Sequence, residues 1–380
     1  LSAWAQVQSQ LIEVEYSKKT KDLFGEERDT ITIVERMWGG FRNACFIAQR
    51  QKYTHRMALL YGQLTKQNSQ QPALYLANQK RGLNIAGNSL LQGNVYLSEK
   101  GIKAAYIEGK SYTRERLVYG NILESSAGIL ETSSQLIAYA QRMGRFVFSP
   151  EDSLCEVMPR NLTHDWYKKT AVFQSINTHL SIDTLSGNII VYSTDSIIIS
   201  SENMLQDIII CAPKVRVKAE VSGRFHIIAA DTVIIEKDVH LNYPSSILLV
   251  SSTSVSAPMP QFILGKRSVV SGVIIVSDQH FRRTTNANAF LDSGSVVLGQ
   301  IYTLGNLEPR GKIFGNAYAT KLVLHTRASI YENHLLDAMI CADSLQQPFG
   351  GLLIKGANQN QQQTPTKKFP AIWLSYPPKP

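Results

Sequence analysis

Charge is scarce in this chain. Of 380 residues only 18% are Asp, Glu, Lys or Arg, while 44% are hydrophobic. That balance excludes a disordered chain, and Ser, Thr, Asn and Gln take the place of much of the usual surface charge. Cysteine is scarce as well. Cys45, Cys155, Cys211 and Cys341 stand far apart, with no CxxC pair and no Cys/His metal spacing, which excludes a zinc ribbon and argues against a disulfide framework. No apolar run reaches the roughly 18 residues that a membrane-spanning helix needs. The HExxH, GxSxG, P-loop and GxGxxG signatures are all absent. Basic and aromatic residues do not interleave as they do in an RNA-binding sheet, so no specific nucleic acid is expected as a partner.

What the chain does have is a repeat. Residues 188 to 241 divide into three rows of 18, starting at Asn188, Gln206 and Arg224. Val191, Ile209 and Ile227 share a column. Ser193, Cys211 and Ala229 share a second, all small. Asp195, Pro213 and Asp231 share a third, each a turn-former, and Ile197/Val215/Val233 and Ile199/Val217/Ile235 follow. Within a row, residues alternate. Arg216 sits between Val215 and Val217, a period of two that belongs to strands and not to helices. Parallel strands stacked in register place like residues over one another, and one turn alone leaves its apolar face bare, so several turns are required. The sequence therefore predicts a mainly β fold: a right-handed parallel β-helix, three-sided, with about 18 residues per turn. In this register Ile190, Ile198, Ile208 and Ile234 face outward, which calls for a cover over that face. Cys211 reads as a buried free thiol, and His226, aligned with Ile190 and Ile208, as a surface residue.

Five segments follow. Residues 1–70 carry an amphipathic helix over the first 20 or so residues, with Trp4, Val7, Leu11 and Val14 on one face, then short strands and a Gly39–Gly40 turn. Residues 71–128 form a first coil segment, with corners at Gly87–Asn88 and, six residues on, Gly93–Asn94. Residues 129–185 break the pattern as an α/β excursion, with a helix over 129–143. Residues 186–345 are the main coil, and 346–380 a polar and then Pro-rich tail, whose last residues are expected to dock on the body in extended form. The helix at 4–14, or residues 349–354, are expected to cap the open ends.

Candidate chemistry is thin. Asp195 and Asp231 share a column two rows apart and read as corner residues. Asp207, Glu236 and Asp238 do not build the paired carboxylates or acid-and-cation groove that polysaccharide cleavage needs. His226, His240, His280, His325 and His334 are isolated, which leaves acyl transfer without a base. The His280–Arg283 loop is a small basic patch. No catalytic, cofactor-binding or metal-ligating residue is assigned. The net charge of +9 is spread along the chain and favours solubility, with an anionic glycan or anionic surface as a further partner. Leu1 opens the chain without methionine, which leaves room for a signal or membrane anchor upstream of it.

One tetrapeptide recurs: Gly93-Asn94-Val95-Tyr96, Gly299-Gln300-Ile301-Tyr302 and Gly315-Asn316-Ala317-Tyr318. With GNVYL, GQIYTL, FGNAYATKLVLHT and TVIIEKDVHL, the chain resembles the bactofilin-type, envelope-associated β-solenoid proteins of bacteria over roughly residues 75–125 and 185–340. The resemblance implies a structural role and brings no catalytic residues. The excursion and the projecting loops depart from the short bactofilin coil and weigh against end-to-end polymerisation. The expectation is a non-enzymatic scaffold of the cell envelope, periplasmic or at the cell surface, whose partners are other envelope proteins or copies of itself. A carbohydrate-binding or carbohydrate-active β-helix protein is the second reading, and an adhesin or pilus-like appendage component the third.

Overall fold

The computed structural model describes residues 15–22, 25, 29–64, 72–251, 254, 256–280, 284–344, 349–352, 354 and 371–374. The fold is mainly β: among the described residues there are a large parallel sheet of many strands, an antiparallel sheet packed on it, and one α-helix.

Three parallel ladders run side by side. The first carries an apolar column twelve residues deep: Cys155, Phe173, Val191, Ile210, Ile227, Ile247, Ile274, Ile301, Ala317, Leu74, Val95 and Ile122, each the register partner of the next. At the spacing of neighbouring strands this spans about 50 Å. The second ladder stacks Leu241, Val270, Val297, Ile313, Ile340 and Leu91. The third stacks Ile197, Val215, Val233, Phe262 and Ala289. These columns meet in one cluster. Each branched side chain there stabilises the fold by about 1.5–3 kcal/mol on burial, and β-branched residues suit the pleat.

The 18-residue spacing holds in the third ladder, where Ile199, Val217 and Ile235 pair in register. In the first ladder the middle row slips by one. Val191 pairs with Ile210 and not Ile209, and Ile210 then pairs with Ile227. The cause is an irregularity between Gln206 and Ile209, where Asp207 takes φ +61. Hence Ile208, expected outside, joins the interior cluster, while Ile209 and Cys211 face outward.

The order of rows is not the order of the chain. The last long strand, Lys312–His325, pairs through Ala317, Tyr318 and Ala319 with Leu74, Tyr75 and Leu76. The segment 72–124 therefore continues the ladder beyond residue 325. The same ladder's two terminal strands are Ile122–Glu124 and Asp152–Cys155. They are neighbours in sequence but lie at opposite ends of the stack. The connector between them includes helix α1 (Ser134–Gly144), capped by Ser133, whose hydroxyl accepts the Leu136 N–H. The excursion is thus shorter than 129–185. Asp152–Cys155, Asn161–His164 and Thr170–Gln174 are already rows of the ladder. Cys155, Phe173 and Val191 keep the 18-residue step there, but the strands are short and partly polar, so no run of like apolar residues marks it in the sequence.

The antiparallel sheet comprises β1 (Tyr16–Asp22), β2 (Asp29–Trp38), β3 (Phe41–Arg50) and β4 (Tyr53–Tyr61), with Ala371–Leu374 added to β4. The helix expected to about residue 20 is corrected over β1, which pairs with β2 as a strand; residues 1–14 lie outside the described residues. The lysines Lys18, Lys19 and Lys21 line the exposed edge strand, a common guard against unwanted pairing. One face of this sheet, with α1, covers the outward residues Ile190, Ile209, Cys211 and Ile228. Phe349 and Leu352 pack on this same outer face and do not cap an end. Tyr112, Leu117 and Val118 pack against the interior instead, while Tyr106–Ile107 and Lys110–Ser111 pair as a hairpin whose Ile107 packs on Ala86 and Leu324.

The recurring tetrapeptide lies within this stack. Gly299 pairs with Gly315, Gln300 with Asn316 and Tyr302 with Tyr318, and Tyr318 leads on to Tyr75 and Tyr96. The Gln300 amide donates to Asn316 Oδ1 at 3.3 Å. Gly299 has φ +145, and a Cβ there would lie 1.9 Å from the Gly272 carbonyl oxygen. Gly299→Ala is expected to cost at least about 3 kcal/mol, since it adds a backbone clash to an unfavourable φ. Gly294, at φ +79 with open space around it, should lose only about 1–2 kcal/mol on the same change. Thermal denaturation of the two variants checks the difference.

Candidate functional site

The seam between the antiparallel sheet and the ladder holds the densest buried polar chemistry. Strand alternation turns Arg36 and Trp38 of β2 toward the ladder. The Arg36 guanidinium donates to the Trp166 carbonyl at 2.6 Å, to Thr170 Oγ1 at 2.9 Å and to Asn43 Oδ1 at 3.3 Å. It also lies 5.9 Å from the ring centroids of both Trp38 and Trp166, within cation–π range. Those two rings meet edge to face at 4.9 Å. The Trp38 indole N–H donates to the Asp207 carbonyl at 2.6 Å. Next to them the Gly39–Gly40 turn presses on His226 and Ser246. A Cβ on Gly39 would lie 2.4 Å from Ser246 Oγ and 2.6 Å from the imidazole.

His226 is therefore fully buried, contrary to its expected place on the surface. It is an outward residue of the ladder, but the sheet covers it. His226 Nδ1 shares a hydrogen bond with Ser246 Oγ at 2.8 Å, and Ser246 Oγ also accepts the Gly40 N–H. This serine–histidine pair is sealed from substrate by the turn above it.

A cleft of about 380 Å³ opens beside this seam. Its walls are Trp38, Tyr139, Met143, Phe148 and Ile190, with Glu151 and Asp152 also lining it. Its second arginine, Arg142, is held by Glu15 and by the Val147 carbonyl. Both arginines are thus engaged by the protein. The cleft has apolar walls and carboxylates, an arrangement that suits binding of a ligand. Its residues come from five separate stretches of chain, which is why no sequence motif marked it.

The acidic residues singled out in the sequence form ion pairs. Asp207 is fully buried and takes both Arg224 nitrogens at 2.6 and 2.7 Å. Glu236 pairs with Arg216 at 3.1 Å and Lys218 at 3.4 Å, and Asp238 pairs with Arg267 at 2.6 Å. Each basic partner comes from a neighbouring row: Lys218 and Arg267 stand directly across from Glu236 and Asp238, and Arg216 and Arg224 are offset from their partners. Asp231 lies 3.6 Å from Lys214, and Asp195 accepts from Ser196. Since the strands they precede lie two rows apart, about 10 Å, they do not form a carboxylate dyad. His325 Nδ1 meets buried Glu308 at 2.6 Å, and Arg310 binds the same carboxylate. His334 bonds the Glu332 carbonyl. Phe281, Arg282 and Arg283 lie outside the described residues. Cys211 is buried and free, and burial pushes its thiol up to about 12, which removes it as a nucleophile. Among the described residues no group of three His, Cys, Asp or Glu side chains is arranged to hold a metal ion.

No protein-family model, curated protein or solved structure matches the chain.

The buried imidazole has a measurable consequence. Burial, helped by the nearby Arg224 charge, pushes His226 down to about 3, whereas an unfolded histidine titrates near 6.5. Between those values the unfolded chain holds the extra proton. The contribution of His226 is therefore complete above about pH 6.5 and is lost as pH falls toward 3, by up to about 1.4 kcal/mol per pH unit. His226→Asn, whose amide reaches where Nδ1 stands, should flatten that part of the profile. Urea midpoints of both chains between about pH 4 and 7.5 test this.

Proposed function

We propose that the chain is a right-handed, three-sided β-solenoid that serves as a non-enzymatic scaffold of a bacterial cell envelope or surface. It acts through contacts with other envelope proteins or with copies of itself. Three ladders side by side, and the 18-residue step from Ile197 to Val215 to Val233, support the three-sided coil. The usual hand of parallel crossovers supports its handedness.

The observation that carries the reading is the contrast between the ends and the middle. The terminal strands leave Ile122, Leu123 and Leu154 exposed, and Val157 and Ile176 beside the second of them are also exposed. Between those ends the titratable groups singled out above are tied into internal pairs. Exposed apolar strand edges are contact surfaces.

Purified protein incubated with a panel of polysaccharides should show no turnover, and crosslinking in intact cells should trap it in envelope complexes. Cleavage or modification of any panel member at enzymatic rates overturns the scaffold reading.

A further inference from the structure

We infer that the end of the ladder at Asp152–Cys155 is a strand-addition site for an extended segment of a partner protein whose outward face, every second residue, carries apolar and basic side chains in turn. The inference rests on the scaffold reading and names the chemistry of one partner.

The backbone comes first. Asp152–Cys155 pairs in parallel with Thr170–Phe173 on one side. Among the described residues nothing pairs with its other edge. An unpaired edge offers a row of N–H and C=O groups to an incoming strand.

The side chains define the partner. Leu154 belongs to the outward column Leu154, Val172, Ile190, Ile209. The last three are buried in the seam, while Leu154 is 69% exposed. The column thus runs out from beneath the sheet to an open position that one more apolar residue would continue. Val157, two residues beyond the strand, is 78% exposed. Acids surround this apolar edge: Glu151, Asp152 and Glu156 lie within a stretch whose only base up to residue 160 is Arg160. Asp152 is also part of the cleft, where Glu151 stands beside Tyr16, Trp38 and Phe148. A carboxylate rim over aromatic walls suits the aliphatic stem and cationic head of a lysine or arginine.

A second copy is the less suitable occupant. Toward the opposite end, the segment that leads into Ile122–Glu124 packs Tyr112, Leu117 and Val118 against the interior. Those residues would stand between two stacked copies, whereas a single extended segment meets no such obstacle.

The test uses the full chain and short synthetic peptides, read by fluorescence anisotropy. One peptide repeats Thr-Val-Thr-Lys, so that valine and lysine follow each other along one face; a second carries glutamate in place of lysine, and a third is the lysine peptide with a central proline. The lysine peptide should bind at least about tenfold more tightly than either of the others, and should weaken with salt. The double variant Leu154→Lys, Glu156→Lys should lose that binding, while Ile122→Lys at the far end keeps it. Both variants should retain the native circular dichroism melt, which shows that they fold. Equal binding of lysine and glutamate peptides, no binding of any, or equal loss in Ile122→Lys overturns the inference. So does concentration-dependent self-association in sedimentation that both variants abolish, since the occupant is then a second copy. None of these outcomes bears on whether the protein turns over a polysaccharide.

Discussion

A strand in a parallel stack has two hydrogen-bonding edges, and neither can be satisfied within its own row. Everything else in this molecule follows from that constraint. It forces row upon row, and it makes like residues lie over like, so that one side of the first ladder becomes an unbroken apolar column from Cys155 to Ile122. It also explains why residues 72–124 leave their neighbours in sequence. The open edge of Lys312–His325 needs a partner, and Pro72–Leu76 supplies it. Glycine enters where two backbones must nearly touch, as at Gly299 and Gly315.

The parallel stack was legible in the sequence because its rows keep a fixed length. Ile197, Val215 and Val233, and Ile199, Val217 and Ile235, pair as the spacing predicts. The tyrosine tetrapeptides announced that the segments near 95 and near 310 share their chemistry, and they do share a ladder. What spacing could not reveal was any local change of row length. Asp207 shifts one residue from a corner into a strand, so Ile209 and Ile210 exchange roles without altering the overall period. Nor does a period of 18 carry information about antiparallel pairing. β3 and β4 pair with each other through a two-residue turn, where the sequence pointed only to short strands. The cleft was invisible for a related reason, since it is assembled by the docking of one sheet on another.

The seam shows how a polar interface can be specific. Stacked apolar columns would tolerate a sheet that slides along them, because each row resembles the next. Arg36 has one place where the Trp166 carbonyl and Thr170 are both within reach, and Trp38 has one carbonyl at Asp207. Breaking either leaves a buried donor without an acceptor, which costs about 1–3 kcal/mol. The Gly39–Gly40 turn can approach Ser246 and His226 only because it carries no side chains. Position along the stack is set by these groups, while most of the stabilisation comes from the burial around them.

The non-sequential order of rows also has a consequence in time. Asn316 and Pro72, which are joined by a hydrogen bond, are 244 residues apart in the chain. At ribosomal rates of about 5–20 residues per second, about 10–50 s separate the synthesis of the two. The segment 72–124 therefore emerges with no edge to join. The strand Lys312–His325 has to exist before that segment can pair with it. Closure joins Pro72–Leu76 to the latest-made long strand, so a chain truncated before residue 312 lacks the strand on which that early segment pairs.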